Sequence, residues 1–368
     1  MAFTQLRIAL VGPLPPPAGG MANQTRQLAE LLSAEGARVE LIQTNAPYRP
    51  SWIGAMRGIR ALFRLLPYLV ALWRALGRAD VAHVMANSGW SWHLFAAPAV
   101  WLAWFRSVPV VVNYRGGEAE PFLEDAAVLV KHTMARVGVL AVPSGFLKQI
   151  FERFGMRARV VPNIIDRARF RPADELKTPG HHVVIARNLE PIYGIDVALR
   201  AFAQVRSQLP DARLSVAGSG PQAEALAVLA RELGIENAVS FTGRLDRDAM
   251  AALYRHADLT VNPSRVDNMP NSVLESLACR IPVVSTRVGG VPFIVEDGVT
   301  ALLVPPDDPS AMAAAMVRVL TDAEMHRALA SAGDQAVSAY EWGRVRDQWR
   351  AVYRDLLSDD MARPVART

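Results

Sequence analysis

The segment richest in chemistry runs Asn262-Pro-Ser-Arg-Val-Asp-Asn-Met-Pro-Asn-Ser-Val-Leu-Glu275, with two carboxylates, Asp267 and Glu275, eight positions apart. Asp267 falls in a loop, and Glu275 about one turn into a helix that begins near Pro270 or Asn271. Loop N–H groups and a helix start can hold an anion, and two carboxylates can accept hydrogen bonds from sugar hydroxyls. A plainer role fits the same spacing: Asn271 or Ser272 caps the helix, and Glu275 complements its dipole. On these residues alone both readings stand.

Three glycine loops each follow an apolar run. Gly19-Gly20 closes a proline-rich stretch and opens a helix from Met21; Gly218-Ser-Gly-Pro221 and Gly289-Gly290-Val-Pro292 repeat the arrangement further on. Paired glycines at a helix start let backbone N–H groups approach a phosphate. The first loop has neither a GxGxxG fingerprint nor the GK[ST] of a P-loop, and taken singly it also reads as a rigid connection. Together the three suggest a nucleotide or nucleotide-sugar ligand.

Other chemistries find few residues. A single cysteine, Cys279, leaves no internal disulfide framework and no Cys-based zinc site. Only Lys131, Lys148 and Lys177 are candidates for Schiff-base chemistry. Asp246-Arg-Asp248 is a DxD triplet at a helix start, where N-capping is expected and not a metal. His181-His182 have no partners at metal-ligand spacing and read as structural. His83, at a strand end, either lines a site or packs.

Positioning these groups requires a scaffold. Apolar strands at Leu6–Val11, Val39–Gln43, Val81–Met85, Val108–Asn113, Val137–Val142 and Arg159–Val161 alternate with helical segments such as Met21–Ser33 and Ser144–Phe154. After Pro172 the series restarts at His182–Ala186 and runs through Arg213–Ala217, Val239–Phe241, Leu259–Val261, Pro282–Ser285 and Ala301–Val304. Continuous Val/Ile/Leu strands interleaved with helices mean parallel sheets covered on both faces. The expectation is therefore α/β, with two doubly wound domains, and ligands bound outside the carboxyl ends of the strands, by default in a cleft between the domains. A helix over Trp342–Leu357 carries Val345, Trp349, Val352, Tyr353 and Leu356 on one side. Gly89–Phe105 is too short to span a membrane and reads as a helix buried in a large core.

The run around Asp267 and Glu275 resembles the Glu–seven residues–Glu signature of retaining glycosyltransferases of family 4. The resemblance extends through Leu277-Ala-Cys279, Pro282-Val-Val-Ser-Thr286, Gly289-Gly290, Glu296-Asp-Gly298 and Leu303-Val-Pro-Pro306. Upstream it includes Gly218-Ser-Gly-Pro221, Phe241-Thr-Gly243, Val161-Pro-Asn163 with Asp166, and the Gly19-Gly20 loop. It implies the GT-B architecture, two Rossmann-like domains facing a central cleft. Residues 1–172 would take the acceptor, 173–340 the nucleotide sugar, and 341–368 would form a helix and tail crossing back to the first domain. It also implies roles. Glu275 would bind the donor ribose, Asp267 the donor sugar, and Asn268, Met269, Pro270, Asn271 and Ser272 would lie near sugar and diphosphate. Arg187 would bind the diphosphate beside Tyr193 and the Gly218 loop. Gly243, Arg244 and Leu245 would flank the base, and Gly19 and Gly20 the diphosphate. His83, Asn113, Arg115 and Glu118 would form the acceptor side. Arg187, Asp267 and Arg115 would be catalytic.

Four departures stand out. Asp267 replaces the first glutamate, Tyr193 the usual lysine, Phe293 the glutamate after Gly-Gly-x-Pro, and the loop that commonly carries a histidine reads Asn113-Tyr-Arg-Gly-Gly-Glu118. The implied reaction needs stabilisation of a leaving diphosphate and no nucleophilic triad, and neither cofactor nor metal is expected. A GT-B nucleotide-sugar epimerase and a membrane-associated, catalytically weakened subunit are the competing readings.

The chain's 368 residues carry 51% hydrophobic and 20% charged side chains, a globular composition. The net charge of +5 divides unevenly, since residues 1–175 hold 20 basic and 12 acidic groups and the remainder 20 and 23. Six arginines, Arg49, Arg57, Arg60, Arg64, Arg74 and Arg78, lie between Glu40 and Asp80 without an acid. Arg57, Arg60 and Arg64 share one side of a helix expected to end at Pro67, opposite Ile59, Leu62, Phe63 and Leu66. Such a helix suits an anionic membrane surface through residues 52–78, or a core-packed helix with a solvated basic face. No motif supports nucleic-acid binding. The start shows no signal peptide, so the expected location is cytoplasmic, peripheral on the inner face of the cytoplasmic membrane.

Overall fold

The computed structural model describes residues 3–16, 19–48, 52, 60–173 and 180–358, excluding the side chains of 60–62. The chain divides into two units, Met1–Ile164 with Trp342–Thr368, and Ile165–Glu341. Residues 165–172 thus belong to the second unit, where Phe170 is buried in the core.

The first unit holds β1 (Arg7–Gly12), α1 (Gly20–Ala34), β2 (Arg38–Gln43), α2 (Arg60–Leu76), β3 (Val81–Ala86), α3 (Ala97–Phe105), β4 (Val110–Tyr114), α4 (Ala119–Met134), β5 (Val139–Val142), α5 (Gly145–Arg153) and β6 (Arg159–Val160). Its strands pair in parallel in the order β2-β1-β3-β4-β5-β6. β3, β4 and β5 are buried along their whole length, which is why they read as unbroken apolar runs.

The second unit repeats the plan with β7 (His182–Ala186), α6 (Ile195–Gln208), β8 (Arg213–Ala217), α7 (Ala223–Glu232), β9 (Val239–Gly243), α8 (Arg247–Arg255), β10 (Leu259–Asn262), α9 (Asn271–Ala278), β11 (Val283–Thr286), β12 (Leu302–Val304), α10 (Pro309–Thr321) and α11 (Ala323–Val337). The order is β12-β11-β10-β7-β8-β9, again parallel. Chain order reverses between β7 and β10, so the loops leaving these two strands diverge and leave a crevice for a ligand.

The final helix, α12 (Trp342–Leu357), belongs to the first unit. Its Val345, Trp349, Val352 and Tyr353 are buried in a cluster with Phe3, Leu10 and Val111. Burying each such side chain is worth about 1.5–3 kcal/mol, enough to hold the helix to the sheet.

Two expectations fail here. α2 does not end at Pro67 but runs through it to Leu76. Pro67 lies on the exposed face, where water can satisfy the carbonyl its ring frees. The segment 89–105 is not one buried helix: a π-helical turn, Trp92–Ala96, precedes α3, and Trp104 and Phe105 are exposed. The expected basic face of α2 is also altered. Arg49, Arg57 and Ile59 lie outside the described residues, as do the side chains of Arg60 and Leu62. Arg64 turns inward, its Nε donating to the Ala46 carbonyl at 3.0 Å and its guanidinium lying over Tyr48.

Candidate active site

β7 delivers Arg187 and β10 delivers Asn262 to the point where strand order reverses. Asn262 is buried and locked: its Nδ2 donates to Ser285 Oγ at 2.9 Å, and its Oδ1 accepts from Arg187 Nε at 2.9 Å. Arg187 forms an ion pair with Asp267 Oδ2, and Ser264 Oγ donates to the same carboxylate at 3.3 Å. Gly290 N–H donates to the Asp267 carbonyl at 2.8 Å, so the Gly289-Gly290 loop fastens the backbone of that acid. Burial lowers the Arg187 pKa, opposed by Tyr193, Tyr254 and Glu275. The Tyr193 ring centroid stands 5.0 Å from the guanidinium carbon.

Two glycines fix this geometry. A Cβ on Gly218 (φ +156°) would come within 1.8 Å of the Arg187 carbonyl oxygen, and one on Gly194 (φ +60°) within 2.2 Å of the Pro263 carbonyl oxygen. Gly218 N–H in turn donates to the Gly243 carbonyl at 2.9 Å. The Gly218 loop therefore seats the turn that carries Arg187. Arg244 is exposed beside it, and Leu245 is partly so.

α9 starts at Asn271 with extended Pro270 at its N-cap position and no side-chain cap hydrogen bond there. Asn268, Met269, Pro270 and Ser272 are buried, and Ser272 Oγ has no hydrogen-bond partner among the described residues. The first turn holds no acid. Such a terminus keeps its N–H groups available to an anion. Glu275 follows one turn later and accepts from the Tyr254 hydroxyl at 3.3 Å. The residue is half-buried, and desolvation by the surrounding protein pushes its carboxyl pKa up to about 7 against the pull of Arg247, the Tyr254 hydroxyl and Arg187. Asp246 caps α8 by accepting from Ala249 N–H at 2.8 Å, and Asp248 pairs with Arg169, so the DxD triplet is engaged in structure.

In the first unit, His83 is fully buried and packs, its ring tilted against that of Trp349 with the centroids 4.8 Å apart. Asn113 Nδ2 contacts His83 Nε2 at 3.0 Å, and Tyr353 Oη lies 2.7 Å from Nδ1. With the Asn113 amide donating to Nε2, the ring carries its proton on Nδ1 and donates to Tyr353. Burial and the nearby Arg115 cation lower the His83 pKa to about 3, so the ring is neutral. Asn113 Oδ1 accepts from Arg115 Nε at 3.0 Å, and Arg115 also bonds Asn163. A continuous chain thus runs Tyr353–His83–Asn113–Arg115. Glu118 stands exposed at the start of α4, and Gly19 and Gly20 are exposed at the start of α1.

The family profile "Glycosyl transferases group 1" matches residues 180–322, and "Glycosyltransferase Family 4" matches residues 18–169. The two matched segments, which together cover most of the chain, are domains of these glycosyltransferase families. A D-inositol 3-phosphate glycosyltransferase of Acidothermus cellulolyticus is 33% identical over 58% of this chain and 52% of its own length. The protein so named from Segniliparus rotundus is 27% identical over 95% and 87%. The chain thus spans about half the length of the first relative and most of the second. Sucrose-phosphate synthase of Thermosynechococcus elongatus shares the fold at a TM-score of 0.78, with 23% identity over 96% of this chain and 99% of that one. HepE of Anabaena, solved with UDP-glucose, does so at 0.73, with 17% identity over 94% and 99%. The fold is GT-B.

The second unit gathers Arg187, Tyr193, Asp267, Glu275 and residues 268–272, while Gly218 and Gly243 seat them. Sequence reasoning placed Asn262 and Ser264 in the key segment without giving them a role, and missed Tyr254. Asn262 ends a strand just before the loop of interest, which is the one signal that marked it. Tyr353 was hidden inside an apolar helix stripe, where its hydroxyl has no sequence signature.

Proposed function

We propose that the protein is a retaining glycosyltransferase that moves a sugar from a UDP- or GDP-linked donor to a glycan or lipid-linked saccharide in polysaccharide or glycolipid assembly. The observation that carries this reading is the Arg187–Asp267 pair at the β7/β10 reversal, followed by an uncapped helix start and Glu275 one turn later. Glu275 accepts the ribose hydroxyls, Asp267 contacts the donor sugar, and the backbone of Asn268 to Ser272 with Arg187 holds the diphosphate. Gly243 to Leu245 flank the base. Arg115 supplies a cation and Glu118 a hydrogen-bond acceptor for the saccharide that receives the sugar. The bond from the anomeric carbon to the diphosphate oxygen breaks, and a bond to the acceptor oxygen forms on the same face. The acceptor's proton goes to the leaving diphosphate, whose growing charge Arg187 and the start of α9 stabilise. No metal is required. HepE, solved with UDP-glucose, supports a nucleotide-sugar donor.

Product NMR tests the stereochemistry: the anomeric configuration of the donor is expected in the product, in buffer with excess EDTA as without it. An inverted anomer contradicts retention. Turnover abolished by EDTA and restored by Mg²⁺ or Mn²⁺ contradicts metal independence.

A further inference from the structure

Three neighbouring helices of the first unit leave a continuous apolar and aromatic face in solvent. On α2, Phe63, Leu66, Val70 and Trp73 recur at three- and four-residue spacing and are exposed, while Tyr68, Leu72 and Leu76 on the other side are buried. α2 is therefore apolar on both sides, which a helix packed against a core with a solvated polar face is not. At the end of α3, Trp104 is 53% and Phe105 71% exposed. The Trp73 and Phe105 rings, 5.9 Å apart, join α2 to α3. On α4, Val128 is 82% and Leu129 64% exposed, one turn before His132, whose ring lies 5.3 Å from Trp101.

Cations line the same face. Arg106 lies 4.4 Å over Trp73, and Arg136 lies 3.7 Å over Trp101 and 5.0 Å over Trp104. Neither α2 nor α3 contains an acid; Glu124 and Asp125 precede the exposed pair on α4. Indole rings with arginines on their faces suit the boundary between lipid headgroups and acyl chains, where the rings are buried and the cations meet phosphate.

We propose that this α2–α3–α4 face docks on an anionic lipid bilayer, with Trp104 and Phe105 entering the headgroup region. A second copy of the chain is a poorer occupant. A two-fold contact would bring the arginines of this face, exposed Arg74 and the ring-bound Arg106 and Arg136, against the same set of cations. Among the described residues no helix is long and apolar enough to cross a membrane, so the contact is peripheral. The proposal does not depend on the reaction proposed above.

Flotation of the full-length protein with vesicles of phosphatidylcholine, alone or mixed with phosphatidylglycerol, tests it. Binding is expected to the mixed vesicles only, weakening as salt rises. Trp104→Ser with Phe105→Ser is expected to weaken partition at least about tenfold, from the apolar area lost. Arg106→Gln with Arg136→Gln is expected to reduce the preference for the anionic lipid. Unchanged thermal midpoints show that the variants fold. No flotation, or equal flotation by wild type and both variants, overturns the proposal. So does a dimer in sedimentation that Phe105→Ser dissociates without vesicle binding by the wild type.

Discussion

Tyr254 on α8 donates its hydroxyl to Oε2 of Glu275 on α9 at 3.3 Å, 21 residues further along the chain. This bond steadies a carboxyl that burial has raised from 4.5 to about 7. If the carboxylate form accepts the ribose hydroxyls, nucleotide affinity falls as pH drops below 7, toward about tenfold per pH unit. Titration calorimetry from pH 8 to pH 5.5 measures this, and Glu275→Gln is expected to bind weakly with a flat pH profile.

The same shift has a stability consequence of known sign. A carboxyl whose folded pKa exceeds its unfolded value favours the fold when protonated. Its contribution is complete below pH 4.5 and is lost as pH rises through about 7. Glu275→Gln is therefore expected to raise the thermal midpoint of the ligand-free protein at pH 8 by a few degrees, and the gain to vanish near pH 4.5. A midpoint difference independent of pH refutes the assignment.

Gly218→Ala puts a methyl group 1.8 Å from the Arg187 carbonyl oxygen. Backbone must move, at a cost of about 2–3 kcal/mol. Thermal unfolding should show the loss, and nucleotide binding should weaken with it because the displaced turn carries Arg187. Gly19→Ala has open space around its Cβ and is expected to leave stability unchanged.

Tyr353→Phe removes the acceptor that faces the buried Nδ1–H of His83. Leaving that donor unpaired costs about 1–3 kcal/mol of stability. Under the proposed reaction, Arg115 loses part of its support through Asn113. Initial-rate kinetics should then show kcat falling more than the donor KM rises, and Asn113→Ala should do the same more strongly.

Much of this was legible because each level of the sequence agreed with the next. The parallel sheets declared themselves in runs such as Val110–Val112, which tolerate no polar alternation when both faces are covered. Asp267 and Glu275 stood out through their spacing, whereas Arg187 was marked only by the family resemblance. Pro67 misled because its usual meaning, a helix end, assumes that the freed carbonyl has no water to meet. The core reading of 89–105 failed because apolar residues can also stand on an exposed face, as Trp104 and Phe105 do. Partners such as Tyr254 and Tyr353 were invisible: their role is a hydroxyl meeting a distant residue, a property of the fold and not of local pattern.

The most direct test is release of UDP or GDP from a panel of sugar nucleotides, with and without a membrane lipid extract, by the wild type, Arg187→Ala and Glu275→Ala. The account predicts acceptor-stimulated release of one nucleotide by the wild type, at least about a hundredfold less by Arg187→Ala from the lost charge stabilisation, and a raised donor KM in Glu275→Ala. Wild-type kinetics in either variant, or no release and no calorimetric nucleotide binding by the wild type, would contradict it.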